Sequence, residues 1–208
     1  MKSSDPIVYL ITPGRLTDEN YDTKAGELLA TIQFAIDEGV SHVQIREKAL
    51  SARRLFDLVC KAAEQMRGSG TRLLVNDRAD IAHLAGADGV HLTEGSVTAA
   101  VIRKHFPPEF IVAVSTHSLA EASEAKRKGA DLAVFGPVFQ SPEKGVAVGL
   151  DELRNVCGSL SPFPVVGLGG IDAGNWLSVV EAGASGIAAI RALNDPELLR
   201  AIMREIKE

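Results

Sequence analysis

The sequence predicts an α/β protein whose short parallel strands alternate with helices and close into an eight-stranded ring, the (β/α)8 or TIM-barrel arrangement. Three observations carry that reading. One phrase occurs four times: Gly39-Val40-Ser41-His42-Val43-Gln44-Ile45 is echoed from Gly86 to Leu92, from Gly129 to Phe135 and from Gly183 to Ile190. Each copy reads as a helix end, a glycine suited to a left-handed cap, and a short apolar strand. The copies recur about every 45–55 residues, which leaves room for two strand–helix units apiece. The strand-like runs are apolar without strict alternation, as expected for parallel strands covered on both faces. Helical periodicity fills most of the gaps between them. An open doubly wound sheet is the competing architecture, and a four-fold echo suits a closed ring better.

The elements follow in order. Ile7 to Ile11 is the first strand, and Leu28, Leu29, Ile32, Phe34, Ala35 and Ile36 mark a helix over Ala25 to Glu38. His42 to Ile45 is the second strand. Leu55, Leu58, Val59, Ala62 and Met66 share one face of a helix over Ala52 to Met66. Arg72 to Asn76 and Val90 to Leu92 are the third and fourth strands, each followed by a shorter helical segment. Phe110 to Ser115 is the fifth, followed by a helix over Leu119 to Lys128. Leu132 to Phe135 is the sixth, and it leads into a long loop containing Gly136, Pro137, Pro142 and Gly145. A loop of that length suggests a lid or a ligand contact. Pro164 to Leu168 and Gly186 to Ile190 are the last two strands, with helices over Asn175 to Ala182 and Pro196 to Ile206. Residues 1–208 read as one domain without linker or low-complexity tract.

Composition narrows the function. The formal charge of -5 and the lack of any Lys/Arg run argue against nucleic acid, so an anion site has to be local. Cys60 and Cys157 lack metal or redox spacing and read as two buried thiols in a reducing compartment. No apolar run reaches the ~20 residues of a membrane span. The chain runs from Met1 straight into a strand without a secretion signal, so a cytoplasmic location is expected. Homo-oligomer formation is left open.

In such a barrel the working residues gather at the carboxyl ends of the strands. Gln44, Arg46 and Lys48 lie two apart, and an extended chain would point all three the same way, toward a phosphate or diphosphate. Asn76 and Asp77 offer oxygen ligands suited to Mg²⁺, and a helix-capping Asp is the plainer alternative. Gly169-Gly170 before a helix start suits a phosphate cradle, strengthened by Arg191 after the last strand. Lys144 lies on the long loop. His42 and His91 occupy matching repeat positions and read as structural. His117 reads equally as a functional or a satisfied loop histidine.

Together, Val8-Tyr9-Leu10-Ile11-Thr12, Gln44-Ile45-Arg46-Glu47-Lys48, Val75-Asn76-Asp77-Arg78, Ala87 to Leu92, Val114 to Ser118, Gly129 to Phe139, Lys144, Gly167 to Ile171 and Gly183 to Ile190 resemble the thiamine phosphate synthase family, which also contains thiazole tautomerases. The likeness covers nearly the whole chain. It implies a transferase that couples an aminopyrimidine diphosphate to a thiazole phosphate with Mg²⁺ as cofactor. Gln44 would then face the pyrimidine, and Arg46, Lys48, Asn76 and Lys144 would hold diphosphate. Asp77 would ligate the metal. Ser115 and Ser141 would contact the reacting region, and Lys144, Ser115 and Arg46 would be the catalytic groups. Gly169, Gly170 and Ile190 would present backbone to the thiazole phosphate, with Arg191 beside them.

Several positions depart from the family pattern. Thr93-Glu94-Gly95-Ser96 stands where Gly-Gln-x-Asp is usual, which removes a second metal carboxylate and leaves Glu94 as its nearest replacement. Glu143 puts a negative charge beside the diphosphate site, and Arg191 replaces a usual Ser. A thiazole tautomerase is the alternative activity, with His117 or Glu143 as base, although Pro137 stands where tautomerases carry His. A non-catalytic binding protein for thiazole phosphate is the third reading.

Overall fold

A computed structural model describes residues 5–141 and 145–208. Eight parallel strands pair in sequence order and close into a barrel. They are β1 (Ile7–Ile11), β2 (His42–Ile45), β3 (Arg72–Asn76), β4 (Gly89–Leu92), β5 (Ile111–Thr116), β6 (Leu132–Phe135), β7 (Val165–Leu168) and β8 (Gly186–Ala189). The ring closes where β1 pairs with β8, Ile7 opposite Gly186 and Leu10 opposite Ala189. The open-sheet alternative is thereby excluded.

Successive side chains on a strand face opposite sides, which separates two apolar layers. Tyr9, Ile11, Leu74, Ala113, Leu132, Val134, Val166 and Ala188 fill the bore. Val8, Leu10, Val43, Ile45, Leu73, Val75, Val90, Val112, Phe135, Val165 and Ile187 face outward, into the layer beneath the helices. Both faces being covered, the strands had no need of an alternating polar pattern.

The helices form the outer layer: α1 (Tyr21–Glu38), α2 (Ala52–Met66), α3 (Ala79–Leu84), α4 (Ala99–His105), α5 (Leu119–Arg127), α6 (Gly149–Leu160), α7 (Trp176–Glu181), α8 (Arg191–Asn194) and α9 (Pro196–Lys207). Gly39 ends α1 in the left-handed conformation, φ 87°, as the repeated phrase anticipates. α1 starts four residues earlier than predicted because Tyr21 is buried and joins the core. Two helices were not among those predicted. One is α6, whose Leu153, Val156, Cys157 and Leu160 are buried. The other is α8, a single turn before Asp195 caps α9 by accepting from the Glu197 and Leu198 amides. Phe110 and Pro164 lie just outside β5 and β7, and Ile190 lies just past β8.

Cys157 is buried as expected, but Cys60 is only half-buried, since it sits on the side of α2; both are free thiols. No helix among the described residues is long and apolar enough to cross a membrane.

Candidate active site

Closure of the barrel puts the trailing ends of all eight strands on one rim, so Arg46 after β2 and Gly169 after β7 share that end of the molecule. Gln44 and Asn76 point into the bore beneath it. Gln44 Nε2 donates to Asn76 Oδ1 at 2.9 Å, and Asn76 Nδ2 donates to Asp77 Oδ2 at 2.7 Å. Gln44 is 1% exposed, and its Oε1 has no hydrogen-bond partner among the described residues. Burying an unpaired carbonyl oxygen costs about 1–3 kcal/mol. A ligand donor arriving there would recover that cost.

Asp77 sits at φ 58°, rare for a residue with a side chain, which turns its carboxylate toward the loop after β4. There it accepts from Thr93 N at 3.2 Å, Thr93 Oγ1 at 2.9 Å and the Ser96 hydroxyl. The family resemblance leads one to expect a second carboxylate at position 96, and Ser96 presents a hydroxyl there. Glu94, the expected replacement, is exposed in the turn after β4. Among the described residues no cluster of three His, Cys, Asp or Glu side chains is placed to hold a metal. Asp77 is thus met by an amide N–H, a backbone N–H and two hydroxyls, and its carboxylate is the one anionic oxygen ligand in that set.

Gln44, Arg46 and Lys48 do not form one extended row. β2 ends at Ile45, so alternation stops before Arg46. The buried residue of this stretch is Glu47, 3% exposed. Its carboxylate accepts from Gly14 N at 3.0 Å and Leu16 N at 2.8 Å, which fixes the β1–α1 loop against the end of β2. Arg46 N donates to the buried Thr12 Oγ1 at 2.8 Å, and the Arg46 guanidinium lies over Gly14, where an added Cβ would stand 3.2 Å from Nη1. Lys48 is exposed and lines a hollow of about 250 Å³ with Glu47, Asn76, Asp77 and Arg78. Arg78 is tied to Asp80 at 2.6 Å. Arg46, Lys48 and Arg191 have no ion-pair partner among the described residues. Three unpartnered cations along a single rim suit a multiply charged anion.

Across the rim, Gly169 and Gly170 take φ 104° and 65°. A Cβ on Gly169 would stand 2.6 Å from Pro137 Cα, and one on Gly170 would stand 2.7 Å from Gln140 O. Only glycine fits, because the β6 loop is laced to this turn by Val138 N to Leu168 O at 2.8 Å and Phe139 N to Gly169 O at 3.0 Å. Ile190 is the N-cap of α8 and the exposed Arg191 its first residue. Asn194 secures the β8 end, donating to Ile11 O at 2.8 Å and Ile190 O at 2.5 Å.

Ser115 is half-buried near the end of β5, and Ser141 is half-buried at the edge of the β6 loop. Lys144, Glu143 and Pro142 lie outside the described residues. His117 bridges loops: its backbone N–H donates to Glu121 and its Nδ1 donates to Gly136 O at 2.5 Å. Glu47 and Thr12 entered the sequence reading only inside the family motifs, Ser96 only as a departure from them, and Asn194 not at all, since the partners that give them roles, Gly14, Arg46, Asp77 and Ile11, lie 19 or more residues away.

A closed α/β barrel with cations and a glycine turn on its C-terminal rim is the framework of an enzyme acting on phosphorylated small molecules. The family model described as thiamine monophosphate synthase matches residues 8–193. The chain belongs to that family. A curated relative from Geobacter sulfurreducens is 40% identical over 201 residues, 95% of this chain and 91% of its own. The thiamine-phosphate synthase of Caldanaerobacter subterraneus subsp. tengcongensis is 34% identical over 218 residues, covering 100% of this chain and 99% of the relative. The solved thiamine phosphate pyrophosphorylase of Pyrococcus furiosus superposes with a TM-score of 0.83 at 28% identity, covering 98% of this chain and 96% of that one.

Proposed function

We propose that this chain is a thiamine-phosphate synthase, a transferase that joins an aminopyrimidine diphosphate to a thiazole phosphate in thiamine biosynthesis. The observation that carries the reading is the extent of the likeness: relatives named for this activity align over nearly all of this chain and nearly all of themselves.

In that reaction the bond between the pyrimidine methylene carbon and a diphosphate oxygen breaks, and its electron pair leaves with diphosphate. The thiazole nitrogen lone pair forms the new carbon–nitrogen bond. The enzyme's task is to orient two ligands and to stabilise the leaving group and the cation left behind. Arg46, Lys48 and Asn76 are assigned to the diphosphate, as is Lys144, which lies outside the described residues. Gln44 faces the pyrimidine, and its unpartnered Oε1 accepts from the exocyclic amino group. Ser115 and Ser141 stand at the reacting region. The backbone of Gly169, Gly170 and Ile190 takes the thiazole phosphate, with Arg191 adding a cation. Mg²⁺, when bound, would be held by Asp77 together with phosphate oxygens and would screen the leaving group's charge. The Asp77 carboxylate and the Thr93 and Ser96 hydroxyl oxygens beside it suit that ion, with one carboxylate where two would hold it tighter. A cytoplasmic location is part of the reading, supported by two cysteines that stand as free thiols.

Purified protein given both substrates and Mg²⁺ is expected to release diphosphate and thiamine phosphate in equal amounts. No product at high enzyme concentration, beside an active control enzyme, overturns the proposal.

A further inference from the structure

Beneath Ser115 a polar column crosses the bore. Tyr9 Oη lies 2.9 Å from His91 Nδ1, and His91 Nε2 lies 2.8 Å from Ser115 Oγ. The three residues come from β1, β4 and β5, and Tyr9 is 0% and His91 2% exposed. We infer that Tyr9 and His91 are positioning residues that fix Ser115 as a hydrogen-bond donor toward bound substrate. This inference rests on the synthase reading of the rim.

The argument is one of proton placement. Tyr9 keeps its proton, since burial raises its pKa well above 10.0. A buried phenol hydrogen needs an acceptor, and the Tyr9 hydroxyl has one partner among the described residues, His91 Nδ1. Nδ1 must therefore carry no hydrogen. The neutral imidazole's hydrogen is then on Nε2, and it donates to Ser115 Oγ. With a lone pair of Ser115 taken from below, its own hydrogen is left to donate upward, to an acceptor atom of the substrate. Were Nδ1 protonated instead, the phenol hydrogen would be stranded in the bore. Tyr9 also packs between His42 and His91, ring centroids 5.5 and 5.7 Å away, so replacing it with phenylalanine removes the hydroxyl while keeping the packing.

The test has two arms. In the wild type, nitrogen-15 NMR of the imidazoles at neutral pH is expected to show His91 as the neutral Nε2–H tautomer; the Nδ1–H tautomer or an imidazolium overturns the inference. That arm needs no turnover, so it stands even if the synthase reading fails. In Y9F, His91 is expected to lose its single tautomer. kcat is then expected to fall about ten-fold, with KM for both substrates within about two-fold. Y9F with wild-type kcat makes the column purely structural and contradicts the inference. S115A is expected to lose at least as much kcat as Y9F, and adding Y9F to it is expected to cost nothing more; independent, multiplying losses would contradict the relay.

Discussion

Asp77 is held by four donors from Asn76, Thr93 and Ser96, and none of them is charged. That arrangement sharpens what the sequence suggested. Position 77 was readable as a strand-end carboxylate, and the loss of an acidic group at 96 was readable as a departure. The replacement of a carboxylate by a hydroxyl that bonds Asp77 directly was not readable, since the two residues are 19 apart and meet only across β3 and β4. Glu47 was hidden for the same reason, its amide partners lying 33 and 31 residues earlier. His42, read as structural, is half-buried against Tyr9. Burial, then the nearby Arg72 cation, pushes its pKa down from 6.5 to about 4, against a smaller opposing pull from Asp88. The unfolded chain therefore takes up a proton at higher pH than the folded one. Stability from this group is complete above about 6.5 and lost as pH falls toward about 4, by on the order of 3 kcal/mol in total. Urea midpoints near pH 7 and near pH 5 are expected to differ more in the wild type than in H42N. Equal differences would show that His42 is charged in the folded state.

At the scale of elements, the repeated glycine-capped phrase marked four of the eight strands, and apolar runs marked the rest. α6 was harder to see because Gly149 opens it and Gly158 lies near its end, weakening a helical pattern that its buried residues do obey. The glycine turn after β7 was visible as sequence, but its reason was not: the β6 loop presses on it from a stretch about thirty residues earlier in the chain. G169A is expected to cost about 1–3 kcal/mol of stability, since its Cβ meets Pro137 and φ 104° disfavours any side chain. It should also raise KM for thiazole phosphate about ten-fold while leaving KM for the pyrimidine diphosphate near its original value. Steady-state kinetics checks this, and an unchanged thiazole phosphate KM would remove the turn from the phosphate site.

The whole molecule does what no single element can. Closing the ring turns eight separate strand ends into one surface, with cations that have no ion-pair partner among the described residues over β2 and the glycine turn after β7. The ring was legible because repeat spacing reports on closure. The direction of Arg46 and Lys48 was not, because the strand stops before them and alternation no longer applies. The central claim is that both phosphorylated ligands sit on this rim in distinct places. A crystal structure with diphosphate, Mg²⁺ and thiazole phosphate bound tests it most directly. Diphosphate is expected against Arg46, Lys48 and Asn76, and the thiazole phosphate on the backbone of Gly169 and Gly170. Ligands found instead in the outer hollow lined by Tyr21, Arg54 and Lys61, or a rim left empty at saturating concentrations, would contradict it.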